Sequence, residues 1–273
     1  MNQLLIVTCN RDTWLFRHQC QSIGQYLETC TVNIFINELN SAEWKKWFDV
    51  ECKPYLVNHN VTLYTYNDFV DCIAMENLLQ KFLLRAGWIT QQIFKLAFSL
   101  KTSAPYIVLD SKNWFIKHTK LADIQKRRRR RVAELFHNFY FDAIEKLKAT
   151  EIYYCRPEIT PYNIDPIVVN ELFNEFGGVD NFIKWFVLHE TPSEFIMYDL
   201  CAQCMNLDSD VGQDSLYTKH FWGDEVTLDL TQFKQTLANP MTHMVSIHPK
   251  LVENLNKSHI EALLNTECSK NLS

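Results

Sequence analysis

Two short polar segments stand directly behind apolar runs and hold the side chains best suited to chemistry. Thr8-Cys9-Asn10-Arg11-Asp12 follows Leu4-Leu5-Ile6-Val7, and Asp110-Ser111-Lys112-Asn113 follows Tyr106-Ile107-Val108-Leu109. A short continuous apolar run marks a strand covered on both faces, and in open α/β sheets ligands bind outside the carboxyl ends of such strands. Both segments are therefore expected at one rim, facing a ligand. Asp12 reads either as the cap of the next helix or as a ligand-facing group, and Asp110 either as a turn residue or as a ligand-facing group.

A third feature is a run of cations at residues 126–131, Lys126 followed by Arg127, Arg128, Arg129, Arg130 and Arg131. It is read as entering a helix at its N-terminal side, where the macrodipole and like charges at i, i+4 oppose it. A tolerated electrostatic cost of that kind points to a polyanionic partner such as nucleic acid. The alternative is a solvated face balanced by Asp123 and Glu134. Cys201-x-x-Cys204 lacks a second pair and reads as buried thiols on a helix rather than a zinc or redox site.

The elements that position these groups alternate. Strands are predicted at residues 4–7, 32–36, 61–66 and 106–109, with helices at 12–27, 41–51, 73–86 and 88–101, the last two broken at Gly87. Beyond residue 130 the chain becomes more helical. Val132, Leu135, Phe136, Phe139, Ala143 and Leu147 recur at three- and four-residue steps, the pattern of one amphipathic helix. Further helices are predicted at 166–176, 179–189, 193–205 and around 260–264, and strands at 152–155 and 243–247. Strands separated by helices imply a mostly parallel central sheet with helices on both faces. With no repeat and no linker, the chain reads as a single α/β domain over 1–273. Residues 119–150 and 165–210 form a mainly helical extension.

Composition excludes several classes. The 273 residues include six glycines, where an average usage of about 7% would give roughly nineteen. Neither G-x-G-x-x-G nor G-x-x-x-x-G-K-[ST] occurs, so glycine-rich phosphate cradles are absent. A phosphate, if held, is held by side chains or a metal. The net charge of −5 provides no general field for nucleic acid or lipid. No apolar run approaches the ~18 residues of a membrane span, and the start of the chain reads as a buried strand rather than a signal peptide. Nine scattered cysteines suggest reduced thiols in a cytoplasm.

Four segments together resemble a known family. They are Gly87-Trp88-Ile89-Thr90-Gln91-Gln92-Ile93-Phe94-Lys95-Leu96; Tyr106 to Ile116 around Asp110-Ser111-Lys112; Pro192-Ser193-Glu194-Phe195-Ile196-Met197-Tyr198; and Val245-Ser246-Ile247-His248. Their order and spacing, across about residues 3–255, resemble the glycosyltransferase-like proteins of phages and bacteria with the GT-A fold, in the nucleotide-diphospho-sugar transferase superfamily. The resemblance implies a hexosyl- or pentosyltransferase moving a sugar from a nucleotide diphosphate to a hydroxyl acceptor. A modified base in phage DNA would be one such acceptor, and a host cytoplasm the location.

Carried over by position, the resemblance implies that Thr8, Asn10, Arg11, Asp12, Gln92, Lys95, Asp110 and Lys112 lie near the donor. It places Asp110 and His248 at a Mn2+ or Mg2+ site. Glu194 becomes the candidate general base, because an acceptor hydroxyl loses its proton as it attacks; its other reading is a favourable charge at a helix N-terminus. Glu194 and Tyr198, with Arg127, Arg128 and Arg129, would face the acceptor, though Tyr198 could simply pack. Asp110, Lys112 and Glu194 form the expected catalytic set.

One departure stands out: Lys112 occupies the place of the second carboxylate in the family's Asp-x-Asp. A lysine cannot ligate a metal readily but can replace its charge. Three arrangements fit: a metal-independent transferase using Lys112, a weakened metal site of Asp110 and His248, or a binding protein without catalysis. A nucleic-acid-binding protein using the arginine run is the reading from another class.

Overall fold

Leu4, Leu5, Ile6 and Val7 are all buried, as an apolar run enclosed between two layers must be. The computed structural model describes residues 3–38, 41–71, 73, 82–124, 130–149, 154–155, 160–207, 218–221, 230–248 and 250–251. Along the first half run β1 (Gln3–Thr8), α1 (Thr13–Tyr26), β2 (Thr31–Ile36), α2 (Ser41–Glu51), β3 (Asn60–Tyr64), α3 (Phe82–Ala97), β4 (Tyr106–Asp110) and β5 (Asn113–Phe115). There follow β6 (Arg130–Arg131), α4 (His137–Leu147), β7 (Tyr154–Cys155), β8 (Tyr162–Ile164), α5 (Pro166–Glu175), α6 (Val179–Phe186), α7 (Glu194–Cys204), β9 (Thr218–Phe221), α8 (Leu230–Ala238) and β10 (Met244–Ile247).

The central sheet has the order β3-β2-β1-β4-β8. β1 pairs in parallel with β2 on one side and β4 on the other, β3 extends β2 in parallel, and β8 adds to β4 antiparallel. Successive side chains of β1 part to opposite faces. Leu4 and Ile6 join Phe16 of α1 and Trp44 of α2 in one core. Leu5 and Val7 join Phe94 of α3, Phe139 of α4, Val168 of α5 and Phe195 of α7 in the other. The expected mostly parallel sheet with helices on both faces is present. A second sheet, β5-β10-β9, packs Trp114, Val245, Ile247 and Phe221 against Phe233 and Leu237 of α8.

Several expectations are corrected. Gly87 does not break a helix, because α3 runs through it from Phe82 to Ala97; the expected helix over 73–86 falls partly outside the described residues. The helix expected from Val132 begins at His137, after a turn of 3-10 helix, and Leu135 is exposed. Arg130 and Arg131 therefore lie on a short strand paired with Cys155 and Tyr154, not at a helix N-terminus. The helix-dipole cost that pointed to a polyanion disappears with that helix, while Lys126, Arg127, Arg128 and Arg129 lie outside the described residues. So does the helix expected near 260–264. The third strand ends at Tyr64, because Tyr66 starts a 3-10 turn capped by Thr65 and Asp68.

α1 packs so closely on the Lys53–Leu56 turn that a Cβ on Gly24 would meet the Tyr55 carbonyl oxygen at 1.9 Å. That neighbour is backbone and cannot swing aside. Gly87, by contrast, is solvent-facing with nothing within 4 Å of such a Cβ. Urea denaturation should therefore show Gly24→Ala losing about 1–3 kcal/mol through overpacking. Gly87→Ala should gain about 0.5–1 kcal/mol from a stiffer unfolded chain and better helix propensity.

Candidate functional site

The chain runs β1, α1, β2 outward to one side of β1 and then crosses from β3 through α3 to place β4 on the other side. The carboxyl ends of β1 and β4 thus flank a topological switch point, where connections leave in opposite directions and open a crevice. Both polar segments singled out in the sequence end there, with Val7 paired to Asp110.

Hydrogen bonds join the two segments. Ser111 Oγ donates to Asp12 Oδ2 at 3.0 Å, and Gln19 Nε2 on α1 donates to the Asp110 carbonyl at 2.7 Å. Asp12 is the residue before α1, but its side chain accepts no helix N–H, so the capping role is replaced by the bond from Ser111. Asn10 donates its backbone N–H to Glu38 Oε1 at 2.7 Å, and Thr8 accepts from Asn37 N–H through its carbonyl. Asn10 and Arg11 are exposed on the rim, whereas Thr8 is buried.

Beneath the rim lies a line of four charges. Lys95 Nζ on α3 is 2.9 Å from Asp110 Oδ1 and 3.0 Å from Glu194 Oε1, and Lys112 Nζ is 3.4 Å from Asp110 Oδ2. The signs alternate: Glu194 negative, Lys95 positive, Asp110 negative, Lys112 positive. Exposure rises along the line from 5% for the Glu194 and Lys95 side chains to 19% for Asp110 and 24% for Lys112. The line thus begins in the core and ends on a half-buried ammonium at the carboxyl end of β4.

Each partner has a local reason for its place. Glu194 opens α7 after Ser193, whose side chain accepts from Ile196 N–H at the N-cap. Gln92, one helical turn before Lys95, accepts from Glu194 N–H at 3.2 Å. Phe195 then packs its ring 5.1 Å from the Lys95 ammonium and stacks on Tyr162. Thr160 Oγ1 lies 3.0 Å from Asp110 Oδ2 and 2.7 Å from Asn113 Oδ1, and Asn113 Oδ1 also accepts the Asp110 N–H.

The electrostatic consequences follow. Burial alone would raise the pKa of Asp110, but the cations of Lys95 and Lys112 outweigh it and hold the carboxyl well below its usual range. For Lys95 burial acts downward, and the charges of Asp110 and Glu194 more than reverse it, so the ammonium stays protonated. Burial raises Glu194. Four buried polar atoms around these groups have no hydrogen-bond partner among the described residues: Thr8 Oγ1, Gln19 Oε1, Gln92 Nε2 and Asn113 Nδ2.

No family model and no curated protein sequence matches this chain. Solved structures do match. The apo crystal structure of mouse xyloside xylosyltransferase 1 aligns at a TM-score of 0.51 and 9% identity, covering 90% of this chain and 96% of that one. The galactosyltransferase LgtC, in complex with donor and acceptor sugar analogues, aligns at 0.50 and 8%, covering 97% and 95%. The fold is that of the GT-A glycosyltransferases.

Set on that fold, the expected site residues divide. Thr8, Asn10, Arg11, Asp12, Asp110 and Lys112 do converge on the two strand ends. Gln92 and Lys95 approach from α3, but Lys95 is spent on carboxylates inside the protein. Glu194 is equally enclosed, and in this geometry it is the counter-ion of Lys95. Tyr198 is 3% exposed, accepts from Asp165 N–H at 2.9 Å and packs edge-on to Tyr162, so it belongs to the core. Cys201 is buried and bonded to the Val168 carbonyl, with its thiol pushed up to about 12 by burial; Cys204 is exposed, against expectation.

His248 follows Ile247, whose N–H donates to the Lys112 carbonyl, so the second sheet brings it alongside the Asp110-Lys112 turn. Its Nδ1 accepts from Lys250 N–H. Both Asp110 oxygens face ammonium groups, and no three metal-ligating side chains converge among the described residues. Gln19 and Thr160 were missed by sequence reading, since nothing in their local pattern marks them. Lys95 did carry a signal, a lone lysine inside the apolar stretch Ile93-Phe94-Lys95-Leu96-Ala97.

Removing the shared cation should be costly. Lys95→Met removes the buried cation beside Glu194 and leaves Asp110 with Lys112 as its remaining cation; it is expected to lower stability by about 3–5 kcal/mol, a loss that shrinks when Glu194→Gln is added. The pH dependence has a definite sign. Because the folded pKa of Asp110 is depressed, its stabilisation is complete above the ordinary value of 3.8 and is lost as pH falls through the folded one. Denaturant titrations between about pH 5 and pH 1 should show that acid loss in the native protein and less of it in Asp110→Asn.

Proposed function

We propose that this protein is a glycosyltransferase that moves a sugar from a nucleotide-diphosphate donor to a hydroxyl acceptor at the switch point between β1 and β4. The observation that carries the reading is the charged line ending on Lys112 in the crevice of a GT-A fold. In such a transfer the bond from the anomeric carbon to the β-phosphate oxygen breaks and its electron pair leaves with the diphosphate. The acceptor oxygen bonds to the same carbon, and its proton passes to solvent. Negative charge grows on the departing diphosphate, so a fixed cation beside it lowers the barrier.

The neighbours' names support sugar transfer as the reaction class. Each side chain then has a part in this reading. Asp110 orients the Lys112 ammonium, and Lys95 holds Asp110 in place while Glu194 balances Lys95. In this reading the nucleotide extends from its diphosphate toward Asn10 and Arg11, which are exposed on the adjacent rim.

Turnover of a panel of UDP-, GDP-, ADP- and TDP-sugars, followed as nucleoside diphosphate release with and without simple glycoside acceptors, tests the reading. At least one donor is expected to react, with Lys112→Ala slowing release by about 10²-fold. Failure of every sugar nucleotide and every free nucleoside diphosphate to bind would overturn it.

A further inference from the structure

A divalent cation in a diphosphate site and the charges of this one compete for the same place. Asp110 is the carboxylate that the resemblance assigns to a metal, yet its Oδ1 is 2.9 Å from Lys95 and its Oδ2 3.4 Å from Lys112. A metal ion bound there would stand beside two ammonium groups, a like-charge repulsion strengthened by burial. The second position two residues on is the lysine itself. His248, the remaining candidate ligand, turns its Nδ1 to the Lys250 N–H.

The line of charges also explains why a lone surface lysine can be a fixed cation. An exposed lysine is a hydrated, mobile charge that loses side-chain entropy on being held. Lys112 is held from beneath by Asp110, which is itself fixed by Lys95, by Thr160 and, through its backbone, by Asn113 and Gln19. Its turn is anchored again from the second sheet by the Ile247 N–H on the Lys112 carbonyl. The ammonium is preorganised at the crevice mouth in the way that an oxyanion-stabilising donor must be.

We infer that Lys112 takes the place of the divalent cation, so that the donor's diphosphate is bound and neutralised by a fixed ammonium without a metal. The inference rests on the transferase reading and deepens it: the substrate class is the same, and the neutralising group is assigned to the chain itself. Lys95 is then a positioning residue, acting through Asp110.

Calorimetric binding of UDP, GDP and ADP to the full chain, in EDTA and again with Mn2+, tests this. One of the three is expected to bind equally in both conditions. Lys112→Met should weaken that binding on the order of tenfold, the size of one charge-assisted phosphate contact, while Lys112→Arg retains most of it. Lys112→Asp recreates two carboxylates two residues apart, and its binding should be weak in EDTA and restored by Mn2+. Wild-type binding that requires Mn2+, or Lys112→Met binding as tightly as the native protein, overturns the metal-free assignment and leaves the transferase reading standing. Absence of binding to all three, together with no turnover of any sugar nucleotide, overturns both.

Discussion

An ammonium group buried between two carboxylates is the constraint on which the rest of this structure turns. Lys95 is 5% exposed at its side chain, and taking an isolated charge from water to such a place costs several kcal/mol. It is tolerable only with Asp110 and Glu194 both at contact distance. Those partners come from the end of a strand and the start of a helix, so the pairing fixes α3, β4 and α7 relative to one another. α7 is accordingly a helix of the interior, with every residue from Glu194 to Ala202 buried.

That arrangement also sets the character of the crevice. The four charges sum to zero, so the core stays electrically neutral, but their order leaves the cation outermost. In the proposed reading, a negative end in the core and a positive end at the switch point suit an anion without any glycine-rich cradle. The second sheet completes it by bracing the turn that holds Lys112. Strand order does the remaining work, because the chain connections part at the carboxyl ends of β1 and β4, between β2 on one side and β4 on the other.

Much of the scaffold was legible in the chain. The buried runs at Leu4 to Val7 and Tyr106 to Leu109 announced the two central strands, and Ser193 before Glu194 announced the start of α7. Errors arose where local signals were weak or were overruled. Gly87 sits on the exposed side of α3, where its cost of about 1 kcal/mol relative to alanine is outweighed by the helix's packed face. β5, β8 and β9 are three or four residues long, too short for a periodic pattern to show. The apolar spacing from Val132 suggested a helix that starts later, since Leu135 turns to solvent in a 3-10 turn.

The site divides along the same line. By itself the sequence determined that polar groups would follow two buried strands, that no glycine-rich phosphate loop exists and that a lysine stands two residues after Asp110. Those are properties of local order and composition, which the chain carries before it folds. Only the tertiary structure decided that Lys95 faces inward to Asp110 and Glu194, that Asp12 bonds Ser111 instead of capping α1, and that Thr160 and Gln19 belong to the site. Each of these depends on partners distant in the chain, and an ion pair's sign and reach say nothing of which partner will be brought near. The energy that selects the partner is the desolvation of a buried charge, and it exists only once the core has closed around it.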